Sequence, residues 1–423
     1  METGDLVELE ITDVAHGGVF VARLEGRVVF VADAIPGERV RARLSDTRKK
    51  SFWRAETVEV LTPSPHRRPH VWAAADVTTP PEQRPGGADF GHIDLPHQRE
   101  LKLKVFRDAL ERIGKVDVPV TMQEAVPIVD ASGAVLAQES PDATQWRTRV
   151  SLHVDEDGRI GPFAARSHRV IEVDDLPLAT PAVARAAAGL RGQLPGRVDL
   201  VQPADGRVRI LPRPDGAAAP APEVILEQAG GREFRVDAGG FWQVHRLAAH
   251  SLTTIVAEEL RAVAAVDPDA AHLDLYGGVG LFAATLGDLG GPGTRVTSVE
   301  SDPRATEHAG ENLAEWVGAR AVTARVDRFV RQLAAESSPV ERERLSRGVV
   351  LLDPPRAGAG RDVVEGILAL APAAVVYVAC DPVALARDLG IFRDAGYRAP
   401  RPVRAVDLFP HSHHVEAVAV LTP

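Results

Sequence analysis

From Phe241 onward the chain alternates short, wholly apolar runs with amphipathic stretches of helical period, and few folds accept that pattern. Helical spacing covers Val244 to Val263, Gly280 to Leu286, Arg304 to Val317 and Val363 to Leu370. Between these lie strand-like runs at Ala271 to Tyr276, Arg295 to Glu300, Val349 to Asp353 and Ala374 to Ala379. The alternation predicts a parallel, doubly wound α/β sheet, with a last strand from His413 to Leu421 closing it. In such sheets ligands bind beyond the carboxyl ends of the strands.

Several of those strand ends carry chemistry. Leu273-Asp274-Leu275-Tyr276-Gly277-Gly278-Val279-Gly280 runs from an apolar strand into a glycine loop. Gly278 and Gly280 let the backbone turn sharply and approach a cofactor without an intervening side chain. Glu300 ends the next strand about twenty residues later, where a carboxylate can accept hydrogen bonds from ribose hydroxyls. To that point a dinucleotide and a nucleoside cofactor fit equally well. Leu352-Asp353-Pro354-Pro355-Arg356 then closes a third strand with an acid and two stiffening prolines. Glycine loop, Glu300 and Asp353 in this order resemble a class I methyltransferase.

Cys380 follows the next strand, in Val378-Ala379-Cys380-Asp381-Pro382, and is the only cysteine in the chain. C5 of a uracil ring is too weak a nucleophile to take a methyl group unaided. A thiolate adding to C6 makes C5 an enolate carbon, and a base must afterwards remove the C5 proton. Cys380 is the candidate for the first task. Glu416, the acid in Phe409-Pro410-His411-Ser412-His413-His414-Val415-Glu416, is the candidate for the second. The neighbouring histidines lie on an expected extended stretch, where alternate side chains diverge, so no metal is expected.

Upstream the texture differs. Residues 1 to 62 hold short alternating runs at Leu6 to Ile11, Gly18 to Ala22, Arg27 to Ala32 and Arg39 to Leu44, separated by glycine turns, as in a small closed barrel. Residues 63 to about 98 read as a wrapping connector. With it, residues 63 to 240 make up a central α+β region. Its first helix, near 95 to 115, presents Leu103, Phe106, Leu110 and Ile113 on one face and is expected to pack on the catalytic domain. Strands are expected at Thr148 to Val154, within Val198 to Leu211 and at Phe234 to Val236. Hairpin turns are expected at Asp157-Gly158 and Asp205-Gly206, a helix at Pro181 to Arg191, and an exposed loop from Arg213 to Glu223. Residues 241 to 423 form the catalytic unit.

A formal charge of −10 argues mildly against a nucleic-acid partner. Locally, Arg39, Arg41, Arg43, Arg48, Lys49, Lys50 and Arg54 cluster with Phe52 and Trp53, which reads either as an RNA face or as a charged strand edge. No apolar run is long enough to span a membrane, and the N-terminal residues are not a targeting segment, so a cytoplasmic location is expected. One cysteine excludes a disulfide within the chain and an iron–sulfur cluster.

The whole pattern resembles the RNA uracil-5-methyltransferase family. Gly4-Asp5 to Ile11, His16-Gly17-Gly18, Val21-Ala22-Arg23, Gly26, Val29-Phe30-Val31, Ala34, Pro36-Gly37-Glu38 and Val40 resemble the TRAM domain, an OB-like RNA-binding barrel. The resemblance implies a Rossmann-like catalytic domain using S-adenosyl-L-methionine, a tRNA or rRNA loop as substrate, and action as a monomer. It implies cofactor contacts from Gln243, Tyr276, Leu281, Glu300, Asp327 and Asp353. His245 and Leu281 stand where the family more often has Asn. The four cysteines that hold an iron–sulfur cluster in some members have no counterpart here. Two alternatives stay open: an RNA cytosine-5-methyltransferase, disfavoured by the lack of a second cysteine near Asp353, and a catalytically silent RNA-binding or RNA-folding protein. Extrusion of the target base from its stack is expected.

Overall fold

A computed structural model describes residues 1–218, 221–263 and 266–423. Five strands open the chain: β1 (Leu6–Ala15), β2 (Val19–Leu24), β3 (Arg27–Ala32), β4 (Arg39–Asp46) and β5 (Phe52–Thr62). They close into a barrel in the order β1-β2-β3-β5-β4. Alternate residues point inward, so Phe20, Val29, Val31, Val40 and Ala42 are fully buried. Closure rests on β5, which the sequence reading did not contain and which pairs in parallel with β3. The barrel is not a loose appendage. Phe90, Ile93 and Leu101, from the connector and the first helix, complete its core.

That helix, α1 (Leu95–Ala109), is capped by Asp94 and runs into a π turn at Leu110–Gly114. The wider turn breaks the 3.6-residue period. Phe106 and Leu110 are buried as expected, but Ile113 is 48% exposed and does not belong to the apolar face. Next come β6 (Val120–Glu124) and a small ribbon of β7 (Ile128–Val129) and β8 (Val135–Ala137). A four-stranded antiparallel sheet follows, built from β9 (Arg149–Val154), β10 (Ile160–Gly161), β11 (Gly196–Val201) and β12 (Arg209–Pro214), with α2 (Pro181–Ala188) against it. Turns fall at both expected Asp-Gly pairs. Arg213 and Pro214 end β12 rather than opening a loop; residues 219 and 220 of the expected loop lie outside the described residues. A hairpin of β13 (Val224–Ala229) and β14 (Arg232–Asp237) leads to α3 (Ala248–Val263).

The remaining elements are β15 (Ala271–Leu275), α4 (Leu281–Gly290), β16 (Arg295–Glu300), α5 (Pro303–Asn312), β17 (Arg320–Thr323), α6 (Val326–Glu336), α7 (Pro339–Ser346), β18 (Val349–Leu352), α8 (Arg361–Leu370), β19 (Ala374–Ala379), α9 (Pro382–Asp394), β20 (Val403–Asp407) and β21 (Glu416–Leu421). Eight strands form one sheet in the order β17-β16-β15-β18-β19-β21-β20-β6. The fold class is thus α/β with a Rossmann-like catalytic domain, but the sheet is mixed rather than parallel. β17, β16, β15, β18 and β19 run parallel; β21 is antiparallel to β19 and to β20. The closing strand starts at Glu416, not His413, and sits inside the sheet, because β20 and β6 continue beyond it. β18, β19 and β21 are buried along their whole length, which explains their unbroken apolar runs.

Lys102 of α1 and Asp407 at the end of β20 are both fully buried and 2.6 Å apart, and Arg99 reaches the same carboxylate at 3.1 Å. Lys102 also donates to the Phe409 carbonyl. Burial pushes the Asp407 carboxyl up, yet Lys102 and Arg99 more than offset it and hold it below the usual carboxylate range.

Candidate active site

Sheet register places the candidate residues on one edge. Ala379 pairs with Ala417, so Cys380 just beyond β19 stands opposite Glu416 at the start of antiparallel β21. Leu352 pairs with Tyr377 and with Leu275, which brings Asp353 to the same edge, beside Tyr276. Leu275 pairs with Val299, and Glu300 follows. Glu300, Tyr276, Asp353, Cys380 and Glu416 therefore line the carboxyl ends of β16, β15, β18 and β19 together with the start of β21.

The glycine loop owes its shape to Asp274 beneath it. A Cβ on Gly277 would lie 2.0 Å from Ser298 Oγ and 2.8 Å from Asp274 Oδ2, so only glycine fits. Asp274 Oδ2 accepts from the Ala283 amide at 3.0 Å, tying the loop to the first turn of α4. Among the described residues Asp274 Oδ1 is buried without a hydrogen-bond partner, and burial pushes the carboxyl up to about 7. Gly278 and Gly280 take φ values of 53° and 89°, and Tyr276 itself lies at φ 61°.

Above this loop the crevice suits a nucleoside. A Cβ on Gly278 would meet no atom of the described residues within 4 Å. Glu300 Oε2 accepts from the Gly278 amide at 3.2 Å, while Oε1 accepts from the amides of Ser301 and Asp302. The carboxylate is thus fixed with acceptor capacity left on Oε2. Tyr276 and Asp327 line a cleft of about 480 Å³ together with Ser301, Arg325 and Gly360. Arg325 holds Asp327 at 3.1 Å, and Tyr276 is pushed up to about 12 by burial and by Asp327 and Asp388. Leu281 opens α4 and is buried; Gln243 lies half-buried in the loop before α3.

At the Cys380 end of the crevice, burial lifts Asp353 to about 7. Burial also pushes Glu416 well up, aided by Asp353 and opposed by Arg356. The Cys380 thiol is pushed up to about 12 by burial and by the carboxylates of Glu416, Asp353 and Asp381, again opposed by Arg356. At neutral pH the Cys380 thiol therefore rests protonated. Arg356 follows the double proline in sequence, and its guanidinium lies 3.3 Å from His414 Nε2. Only its position in the Asp-Pro-Pro-Arg run could have drawn attention to it. Asp388 holds the loop that Arg356 opens, accepting from Tyr377 Oη at 2.7 Å and the Ala359 amide at 2.8 Å.

The histidines before β21 occupy a turn rather than an extended stretch, with His411 at φ 66°. Each has its own partner: His411 Gln98, His413 Asp89 at 2.6 Å, and His414 Arg356. Among the described residues no group of three or more His, Cys, Asp or Glu side chains is placed to hold a metal ion.

The basic stretch of the barrel divides in two. Arg39, Arg41, Arg43 and Arg48 are paired with Glu8, Glu59, Glu82 and Asp46 at 2.5 to 2.8 Å. Lys49, Lys50 and Arg54 enter no ion pair among the described residues. Exposed Lys49 lies over the half-buried Phe52 ring at 4.7 Å, and Arg27 lies over the half-buried Trp53 ring at 4.2 Å. No described helix is long and apolar enough to cross a membrane.

Comparison with known proteins agrees with this architecture. Residues 1–53 match the TRAM domain. A protein of Streptomyces avermitilis described as an uncharacterized RNA methyltransferase is 38% identical over 99% of this chain and 99% of its own length. Counterparts so described from Streptomyces coelicolor and Bifidobacterium longum are 37% and 35% identical, covering 99% and 98% of this chain and 93% and 96% of theirs. Among solved structures, the Pyrococcus abyssi tRNA (uracil-54, C5)-methyltransferase in complex with S-adenosyl-L-homocysteine shares the fold, with TM-score 0.67 and 21% identity over 98% of this chain and 100% of that one. Barrel, mixed sheet and strand-edge crevice define a methyltransferase with an appended RNA-binding barrel. The chain belongs to the RNA methyltransferase family of these relatives.

Proposed function

We propose that this protein transfers a methyl group from S-adenosyl-L-methionine to C5 of a uridine in a tRNA or rRNA loop, acting as a cytoplasmic monomer. The observation that carries the reading is the register that sets Cys380 opposite Glu416, with Asp353 and Arg356 beside them. The description of the Pyrococcus abyssi enzyme, which names C5 of a tRNA uracil, supports it. In this reading the chain works as three units: residues 1–62 contact RNA, the central α+β region 63–240 packs its first helix on the catalytic unit, and residues 241–423 carry the reaction.

Gln243, Tyr276, Gly278, Gly280, Leu281, Glu300, Asp327 and Asp353 would hold the cofactor, Glu300 at the ribose hydroxyls and the Tyr276–Asp327 cleft at the base. When bound, the cofactor supplies an electrophilic methyl group on its sulfonium. Cys380 adds as thiolate to C6 of the extruded uracil, which loads the electron pair onto C5 and O4. After C5 carries its methyl, Glu416 removes the C5 proton, and the electron pair left behind expels the thiolate from C6. Both steps need ionised groups that burial disfavours. Arg356 is the cation that favours the ionised form of each.

Transcripts carrying 5-fluorouridine test the scheme, since fluorine cannot leave as a proton. With cofactor present, wild-type protein should form a denaturant-stable adduct and Cys380→Ala none. Equal adduct from Cys380→Ala, or methylation at a base other than uridine, would overturn the assignment.

A further inference from the structure

The turn between β1 and β2, His16-Gly17-Gly18, belongs to the barrel but packs against the catalytic loop. His16 Nε2 lies 3.2 Å from Asp381 Oδ2. Asp381 directly follows Cys380, and its other oxygen is committed to capping α9, accepting from the amides of Val383 and Ala384 at 3.0 and 2.8 Å. Two residues on, a Cβ at Gly18 would lie 2.3 Å from Asp89 Oδ2 and 2.8 Å from His413 Nδ1, at a φ of 71°. Those two groups are themselves joined, and the His413 ring lies 4.0 Å from His414, which contacts Arg356. A small cavity of about 20 Å³ is walled on one side by the turn and on the other by Cys380, Asp381 and His414. The barrel is held in this place by its shared core with α1 and by the Lys104–Asp13 pair.

We infer that the barrel turn is part of the catalytic centre, with His16 a positioning residue that holds Asp381 and balances its charge beside Cys380. The inference rests on the reading of Cys380 as the nucleophile. Asp381 is one of the carboxylates that disfavour the thiolate. Its cap bonds fix one oxygen, and the imidazolium of His16 offsets the other. The remaining charged or titratable groups around the cavity have other partners: Lys102 binds Asp407, His413 binds Asp89 and His414 binds Arg356. Asp381 is thus the acid that faces His16, and their hydrogen bond raises the imidazole above its usual value. The balance exists while His16 is protonated and fades as pH rises through the raised value, above the usual imidazole range. Gly18 serves the same contact, since any side chain there would push the turn off Asp89 and His413.

The test is the single-turnover rate of adduct formation on 5-fluorouridine RNA, at saturating RNA and cofactor, across pH 6 to 9, with RNA affinity measured separately. His16→Ala should slow adduct formation about threefold to tenfold at pH 7, the range of a half-exposed pair acting on an adjacent ionisation, while leaving RNA affinity within about twofold. His16→Lys should restore the rate and hold it to higher pH. Gly18→Ala should slow the reaction without loss of RNA binding. If the His16→Ala profile overlays wild type while Cys380→Ala forms no adduct, the inference fails and the nucleophile assignment stands. A loss confined to RNA affinity would equally reduce the turn to an RNA contact. Adduct formed by Cys380→Ala would remove the ground for both.

Discussion

Lys102 of α1 and Asp407 of β20 form a wholly buried ion pair at 2.6 Å, 305 residues apart in sequence. It pins the helix that completes the barrel core to the last turn before the histidine loop and Glu416. Lys102→Met should therefore cost about 3 kcal/mol, the usual penalty for leaving one buried charge, moderated by Arg99. Thermal or urea unfolding would measure it. Because the Asp407 carboxyl is held low in the folded state, the stability it supplies is fully present above its unfolded value near pH 4 and is lost as pH falls through the depressed one. A Lys102→Met stability curve that ran parallel to wild type below pH 4 would contradict this account.

Alkylation of Cys380 should be slow at neutral pH. A thiol lifted to about 12 leaves very little thiolate at pH 7, so the iodoacetamide rate should climb about tenfold per pH unit from 7 to 10. Glu416→Gln removes one source of that lift, so at pH 9 the variant should react several-fold faster than wild type. Mass spectrometry of the single cysteine reads both rates.

On natural RNA, Glu416→Gln should methylate once and then stall with the adduct intact, because the C5 proton has no acceptor. A covalent band on a denaturing gel, with turnover down at least about a hundredfold, is the expected result. Normal turnover by this variant would move the base elsewhere.

Gly278→Ala fills the open space above the glycine loop and places a Cβ at φ 53°, with a strain of about 1 kcal/mol. Calorimetry should show S-adenosylmethionine affinity reduced at least about tenfold, with a melting temperature shift of only a few degrees. Glu300→Gln should weaken the cofactor similarly and leave the fold intact.

On the barrel, the free cations and not the paired ones should contact RNA. Arg54→Gln and Lys49→Gln should each lower RNA affinity and reduce the slope of log K against log salt by about 0.7, the single-strand value for one lost phosphate contact. Arg41→Gln, which breaks a pair with Glu59, should leave the slope unchanged.

Where the candidate residues would fall could be read from the sequence because strand ends announce themselves. β16 and β19 span the residues that their apolar runs predicted, so Glu300 and Cys380 fell at strand termini without further help. What could not be read depended on pairing between distant segments. β6 and β20 are short and mixed in character, and each is recognisable only once the other is beside it. The antiparallel placement of β21 inside the sheet is likewise a matter of topology. The barrel's basic stretch was legible as charge but not as pairing, since Glu8, Glu59 and Glu82 approach from other segments. Ile113 misled for a local reason, the π turn that ends the helical period.

The pairing of β6 with β20 also bears on how the molecule assembles. Val120 meets Val403 across most of the chain, so the sheet cannot be completed until the segments between them are made and folded out of the way. Such a long closure slows folding, and the barrel and the antiparallel sheet, whose contacts are local, should gain protection from hydrogen exchange first. Cys380 and Glu416 would come to face each other only in the final event, so partly folded chains would carry a barrel able to meet RNA and no chemistry to apply to it.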